Sequence, residues 1–211
     1  MLDPWQLILI GLALGLIPPR LFYGSGYRHG TLMDATNPEH LRTSSDSGSG
    51  RKRRLWWKVP LFWIDPIRGY FSAHFVALGL CQMPMDYTEQ IVTILGIQCV
   101  ATFVILVVQM EFGRQRSRKL LAPVAFLVGY LIGGRIGLEL LGAAVAFLGL
   151  STAITSRNIK TGLCATSAAA IGLGWIFLGA GANLGIFAVT ALAPIPYAFF
   201  RKASLVIPMR S

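Results

Sequence analysis

The basic residues of this chain are confined to four segments that separate long apolar stretches. Eighteen of the nineteen lysine and arginine residues lie within residues 20–68, 114–119, 157–160 and 201–210, and Arg135 is the exception. The intervening stretches carry few charges, and most of those are acidic. An excess of lysine and arginine marks the cytoplasmic side of a membrane protein. The pattern therefore predicts a polytopic integral membrane protein with all four segments on the cytoplasmic side.

Composition agrees with this class of protein. Mean hydropathy is +0.60, and charged residues make up 13% of the chain, against about 25% in an average soluble domain. A net charge of +10 would suggest nucleic acid in a soluble protein, but here the basic residues flank apolar spans. Orientation in the membrane and attraction to anionic lipid explain the charge better. We therefore expect membrane lipids, particularly anionic ones, as partners, and no nucleic acid.

The first transmembrane helix is predicted within residues 1–22. Asp3 followed by Pro4 is typical of a helix N-cap with proline at the first helical position, and the apolar run continues to Ile17. The first basic residue, Arg20, follows this run instead of preceding it, which argues against a secretory signal peptide. An uncleaved helix with its N-terminus outside is expected.

Residues 23–64 are predicted to form a basic, aromatic-rich cytoplasmic loop. Its middle, residues 43–50, consists largely of serine and glycine, the composition of a linker. A cluster of cations and two tryptophans follow, and both suit the headgroup zone of a bilayer. The residues expected to bind lipid or a partner protein are Arg51, Lys52, Arg53, Arg54, Trp56, Trp57 and Lys58. Orientation by positive charge alone is the alternative.

The second and third spans, with a basic cytoplasmic loop after them, are predicted in residues 65–119. Asp65 followed by Pro66 repeats the N-cap signal of the first helix, and Pro84 would end the second helix. The next run, residues 87–110, is long and apolar enough to cross a bilayer. It is the clearest single span in the sequence.

The remaining apolar sequence, residues 120–200, is predicted to form two hairpins. Stretches 120–155 and 161–200 would each be too long as one helix, because they would rise about 54 and 60 Å against a hydrocarbon core of about 30 Å. Each stretch has a glycine cluster near its midpoint, at residues 133–137 and 179–185. Each also begins and ends near basic residues, so doubling back agrees with the charge pattern.

The expected fold is therefore all-α, a polytopic helical bundle of about seven spans ending in a basic cytoplasmic tail, residues 201–211. The hairpin limbs are short, so re-entrant pairs of half-helices are an alternative to full spans. Small residues four apart let helix backbones approach closely. The glycines expected to serve this packing are Gly129, Gly133, Gly137, Gly181 and Gly185.

Three polar residues of the hairpins are candidates for a transport site. Arg135 and Glu139 are four residues apart and could form an ion pair on one helical face. The favoured interpretation places both at the outer interface, where their ends reach water. Asn183 lies between Gly181 and Gly185, which suits either a glycine-broken transporter helix or an ordinary tight turn. The turn is the favoured interpretation.

Signals for catalysis or cofactor binding are weak. Cys81, Cys99 and Cys164 lie singly in apolar stretches and lack metal-ligand spacing. The sequence contains neither a Gly-x-Ser-x-Gly elbow nor two histidines in a zinc-binding helix motif. His74 is expected to hydrogen-bond a neighbouring helix instead of ligating haem. We therefore expect no enzymatic activity, no cofactor and no bound metal.

The functional expectation is a non-catalytic integral membrane subunit or scaffold. It would bind anionic lipid and partner membrane proteins or further copies of itself. A small channel or transporter with its site at the two glycine-broken hairpins is the alternative. The expected location is the bacterial inner (plasma) membrane.

Overall fold

The structure, a computed structural model, describes residues 3–18, 21, 27–30, 60–83, 87–110, 119–134, 139–178 and 188–210. Helix is the main secondary structure of these residues. The helices are α1 (Pro4–Leu16), α2 (Pro60–Cys81), α3 (Tyr87–Met110), α4 (Val124–Gly133), α5 (Glu139–Ser156), α6 (Ile159–Leu178) and α7 (Pro194–Phe200). Residues 188–192 are also helical and lead into α7. The strands are β1 (Tyr27–Gly30), β2 (Lys119–Leu121) and β3 (Ser204–Arg210).

Helix α1 begins where its sequence signal predicts. Asp3 has an extended backbone with φ −67° and ψ 144°, and its N–H donates a hydrogen bond to Gln6 Oε1 at 3.1 Å. Pro4 occupies the first helical position, where its missing N–H leaves no broken hydrogen bond. The helix stops before Pro18, because the residue preceding a proline is pushed out of the helical region. Ile17 accordingly has ψ 116°.

Helix α2 differs from the expectation. It begins at Pro60, and Pro66 lies inside the helix, whereas the sequence analysis placed the helix start at Asp65 and Pro66. Pro60 carries the same first-position signal and precedes apolar residues that continue the helix. The carboxylate of Asp65 does not cap the helix but accepts a hydrogen bond from Arg68. The earlier of the two proline signals therefore marks the helix start.

Helix α3 covers the predicted range, residues 87–110. The first of the two later apolar stretches is interrupted at its glycine cluster, where α4 ends at Gly133 and Gly134 forms a turn. In the second stretch, α6 is described as far as Leu178, and helix is described again from residue 188. The glycine cluster at residues 179–185 lies outside the described residues, so the turn predicted there stays a prediction.

The expected seven full spans are not established by these helices. Among the described residues, two helical ranges are both long enough and apolar enough to cross a membrane, Glu139–Ser156 in α5 and Ile159–Phe177 in α6. Helices α1 and α4 have 13 and 10 residues, which rise about 20 and 15 Å. Both are shorter than a hydrocarbon core of about 30 Å.

Buried apolar clusters at the two ends of the bundle show how the chain doubles back. At one end, the N-terminal half of α1 packs on the C-terminal half of α2, through Ile8, Val76, Leu80 and Met83. At the other end, one cluster joins the end of α3 to the starts of α4 and α6 and to the chain after α7. Its members are Leu106, Met110, Leu120, Ala122, Leu127, Ile159, Leu163, Ala198 and Leu205.

We call this second end of the bundle the basic end. The described basic residues on the elements at or beside it are Arg28, Arg68, Lys119, Arg157, Lys160, Arg201, Lys202 and Arg210. They come from all four basic segments of the sequence. Segments that are far apart along the chain therefore meet at one end of the bundle.

A small sheet at the basic end was not expected from the sequence. Its strand order is β1-β3-β2, with β3 antiparallel to β1 and parallel to β2. Leu120 on β2 is in register with Leu205 on β3, and both are buried in the cluster at this end. Burial of these apolar side chains explains why residues 204–210, within the predicted basic tail, form a strand.

Glycines bring helix backbones into direct contact. On α4, Gly129 lies against the carbonyl of Pro66, and Gly133 lies against the carbonyl of Tyr70. A β-carbon at either position would collide with the backbone of α2. Gly149 of α5 and Gly162 of α6 make a similar close contact. Close approach through small residues is how helices associate without a hydrophobic driving force.

We expect Gly129→Ala to destabilise the bundle by about 1–3 kcal/mol, the usual range for overpacking a tight contact. The added methyl group must displace the backbone of α2 at Pro66. The measurement is the melting temperature of purified protein in mild detergent. Gly172→Ala on α6 is the matched control, because a β-carbon there meets no atom within 4 Å. Equal loss of stability in both variants would contradict close α2–α4 packing.

Candidate functional site

The most distinctive chemical feature of the described structure is a buried ion pair on α2. Asp65 and Arg68 are each 5% exposed, and Arg68 Nη2 lies 2.8 Å from Asp65 Oδ1. Their spacing of three residues places both on one helical face. Burying a single charge in an apolar interior is costly, so buried charges occur paired and hydrogen-bonded. The two side chains satisfy that requirement together.

Gln109 extends this pair to α3 and α1. Arg68 Nη2 donates to Gln109 Oε1 at 2.6 Å, and Gln109 Nε2 donates to the carbonyls of Gly15 at 2.5 Å and Ile17 at 2.9 Å. Arg68 Nη1 also donates to the Ile17 carbonyl. We call Asp65, Arg68 and Gln109 the Arg68 cluster.

The Arg68 cluster caps the C-terminal end of α1. The last carbonyls of a helix have no partner within the helix and carry partial negative charge. Here a cation and an amide donate to carbonyls at that end. The guanidinium carbon also lies 5.2 Å from the ring centroid of Phe126 on α4, within cation–π range. Contacts from the end of α1, from α3 and from α4 therefore meet at the buried cation of Arg68 on α2.

Two further polar contacts join helices inside the bundle. Ser72 Oγ on α2 donates to the Gly11 carbonyl of α1 at 2.7 Å. The hydroxyl groups of Thr102 on α3 and Tyr130 on α4 lie 2.5 Å apart and share a hydrogen bond. All three hydroxyl-bearing side chains are buried. The interior polar groups thus hold neighbouring helices together.

His74 lies on α2, two turns beyond the Arg68 cluster. Its ring stacks on Tyr70 with centroids 5.4 Å apart and planes 11° apart. Within the described parts of the chain, its Nδ1 atom has no hydrogen-bond partner. The hydrogen bond to a neighbouring helix that the sequence analysis expected is therefore not seen at this atom.

Most of the predicted site residues fall outside the described ranges. Arg135, Asn183, Gly137, Gly181 and Gly185 are among them, as is the whole of residues 51–58. Glu139 is described and begins α5, where it is half-buried. Gly129 and Gly133 face α2, as set out above. The grouping of Arg135, Glu139 and Asn183 into one site stays a prediction.

The Arg68 cluster was missed from the sequence, although a signal for it exists. Asp65 was interpreted as a helix cap and Arg68 as a member of the cytoplasmic basic segment. Both lie in a continuous helix, and the spacing Asp-x-x-Arg within an apolar run indicates a pair that is buried together. Gln109, near the end of an apolar helix, is a matching polar residue on another span.

One cavity in the described part of the chain is small and lined mainly by apolar atoms. It has a volume of about 30 Å³, lies between α4, α5 and α6 and is lined by side chains such as Leu131, Leu150 and Leu163. Small-molecule sites are typically about 300–1,000 Å³. Among the described residues there is also no group of three or more His, Cys, Asp or Glu side chains that could hold a metal ion.

Comparison of the chain with family models, with curated proteins and with solved structures finds no match.

We expect Arg68→Leu to destabilise the protein by about 3–5 kcal/mol, because it leaves the Asp65 carboxylate buried without its cation. Adding Asp65→Asn should recover part of that loss, since it removes the stranded charge. Thermal unfolding in detergent measures both effects. Arg201→Gln, at an exposed arginine, serves as the control and should change stability little. Losses that simply add in the double variant would contradict coupling between the two residues.

Proposed function

We propose that this chain is a non-catalytic integral membrane protein, a subunit or scaffold whose outer surfaces bind lipid and partner membrane proteins. The observation that carries the proposal is the exposure of α5 and α6, the two described helices that are both long enough and apolar enough to cross a membrane. In α5, 22% of the candidate span is buried, and in α6 39% is buried. Large apolar side chains project from them and from α7: Leu140, Phe147, Trp175, Ile176, Phe177, Phe199 and Phe200.

This exposure differs from that of a core helix in a soluble protein. An apolar core helix of a soluble protein is mostly covered by its own chain, and large exposed apolar patches mark contact with a membrane or another protein. The described interior, in contrast, contains polar side chains such as Arg68, Gln109 and Ser72. Polar residues that face the bundle interior while apolar ones face outward suit a lipid environment.

The basic end indicates how the protein is oriented in the membrane. Its cations come from separate parts of the chain but lie on one side, which supports a cytoplasmic face under the positive-inside rule. We place the protein in a bacterial inner (plasma) membrane with this end inside. The seven-span topology, with the N-terminus outside, belongs to the same proposal.

The subunit role is supported by where the polar groups are engaged. The buried polar side chains described above are engaged in contacts between helices, and the cavity between α4, α5 and α6 is small. Under this proposal, function resides on the outer surface. Residues 51–58 supply cations and two tryptophans for anionic lipid or a partner, and the apolar faces of α5 and α6 offer area for a neighbouring helix.

A small channel or transporter is the second candidate. One observation favours it: helix α4 has 10 residues and ends at the first glycine cluster, so it rises about 15 Å, half of a hydrocarbon core. Half-helices that stop at glycine-rich breaks are a feature of transporter binding sites. Arg135, Glu139 and Asn183 would then provide the polar groups at the two breaks.

We expect the protein to co-purify from its own membrane with a partner in fixed stoichiometry, measured by native mass spectrometry in mild detergent. Replacing Arg51, Lys52, Arg53 and Arg54 with glutamine should reduce recovery of that partner by at least tenfold, because each cation near an anionic surface contributes about 1 kcal/mol and four are lost. Replacing Ser44, Ser45 and Ser47 with alanine in the same segment is the matched control.

Recovery of a lone monomer would contradict the subunit role. The transporter candidate is then tested by solute flux into liposomes with Asn183→Ala, using protein shown to remain inserted. Flux that depends on Asn183 would favour transport, and its absence in the wild type would remove that candidate.

A further inference from the structure

Two basic residues have a backbone conformation that favours glycine. Among the described residues, the non-glycine positions with positive φ are Arg157 at 54° and Lys202 at 47°. Both side chains are exposed, and both lie at the basic end. A side chain in this left-handed region strains the backbone, and glycine avoids that strain.

Arg157 terminates α5 in a defined hydrogen-bond pattern. The N–H of Asn158 donates to the Ala153 carbonyl at 3.2 Å, and the N–H of Arg157 donates to the Ile154 carbonyl at 3.3 Å. These two bonds form a Schellman motif, with Arg157 at the left-handed position where helices usually have glycine.

Lys202 terminates α7 in the same way. The N–H of Ala203 donates to the Ala198 carbonyl at 2.9 Å, and the N–H of Lys202 donates to the Phe199 carbonyl at 3.0 Å. Two helix ends on one side of the bundle therefore have a cation where glycine would be less strained. A helix C-terminus does favour nearby positive charge, but a cation earlier in the last turn gains that interaction without the strain.

The surroundings of these turns indicate what the cations contact. Phe199 and Phe200 are 79% and 81% exposed and directly precede the turn at Lys202, and Ile154 is exposed beside Arg157. Apolar side chains below a cation are the arrangement of the membrane interface, with rings towards the acyl chains and charge among the phosphates. Neither Arg157 nor Lys202 forms an ion pair with a described carboxylate.

We propose that Arg157 and Lys202 bind the phosphate groups of anionic phospholipids in the cytoplasmic leaflet. The inference rests on the membrane location proposed above and assigns the lipid contact to two specific turns. Lys160 and Arg201 add positive charge next to them. The left-handed backbone fixes where each cation leaves its helix, and the headgroup supplies the negative charge.

The test uses full-length protein in neutral detergent, titrated with phosphatidylglycerol and followed by native mass spectrometry and thermal unfolding. Arg157→Gly and Lys202→Gly should each weaken phosphatidylglycerol binding about fivefold, the effect of one cation near an anionic surface. In detergent without lipid, both variants should melt at or above the wild-type temperature, because glycine relieves the strain. Arg157→Lys and Lys202→Arg are the matched controls and should retain binding.

Three results would overturn the proposal. They are unchanged phosphatidylglycerol binding in the glycine variants, equal wild-type binding of phosphatidylcholine, and equal stabilisation by inorganic phosphate. If the glycine variants melt at a lower temperature than the wild type without lipid but still bind phosphatidylglycerol, the two cations stabilise the helix ends and do not bind lipid. Carbonate extraction of native membranes separates this test from the membrane proposal: release of the chain without detergent would contradict the location itself, whereas retention with no lipid preference would contradict only the headgroup site.

Discussion

The buried guanidinium of Arg68 is the interaction on which the packing at the basic end depends. It forms an ion pair with Asp65 on its own helix and donates hydrogen bonds to Gln109 on α3 and to the Ile17 carbonyl at the end of α1. It also lies beside the ring of Phe126 on α4. Because a buried charge that loses a partner is costly, these contacts favour the observed arrangement of the four helices. Glycine contacts between α2 and α4 then allow the close approach that this arrangement requires.

The helices themselves were largely predictable, because they follow from local chemistry. Proline at a first helical position, apolar length and the first glycine cluster located α1, α3 and the end of α4 at Gly133. The small sheet was not predictable in the same way. Strand β3 forms because Leu205 and Val206 find partners on residues distant in the chain, and basic residues around them made the segment look like a tail.

The candidate site shows a similar division between local and distant information. Asp65 and Arg68 have ion-pair spacing, but the burial that gives the pair its importance depends on α1 and α3. Arg157 and Lys202 look like ordinary flanking cations in sequence, and their shared left-handed conformation appears when the helix ends are folded. Local spacing identifies residues that can interact, and tertiary packing determines which of them lie in an apolar surrounding.

The central claim is that the exposed faces of α5 and α6 contact lipid. A nitroxide label at Trp175→Cys, with Cys81, Cys99 and Cys164 replaced by serine, tests it most directly in liposomes. Oxygen should increase the relaxation rate of this nitroxide more than a water-soluble nickel chelate does. A label at Lys160→Cys, about 22 Å away along the same helix, should show the reverse. Strong nickel accessibility at position 175 would mean that this face is in water, and the membrane account would be wrong.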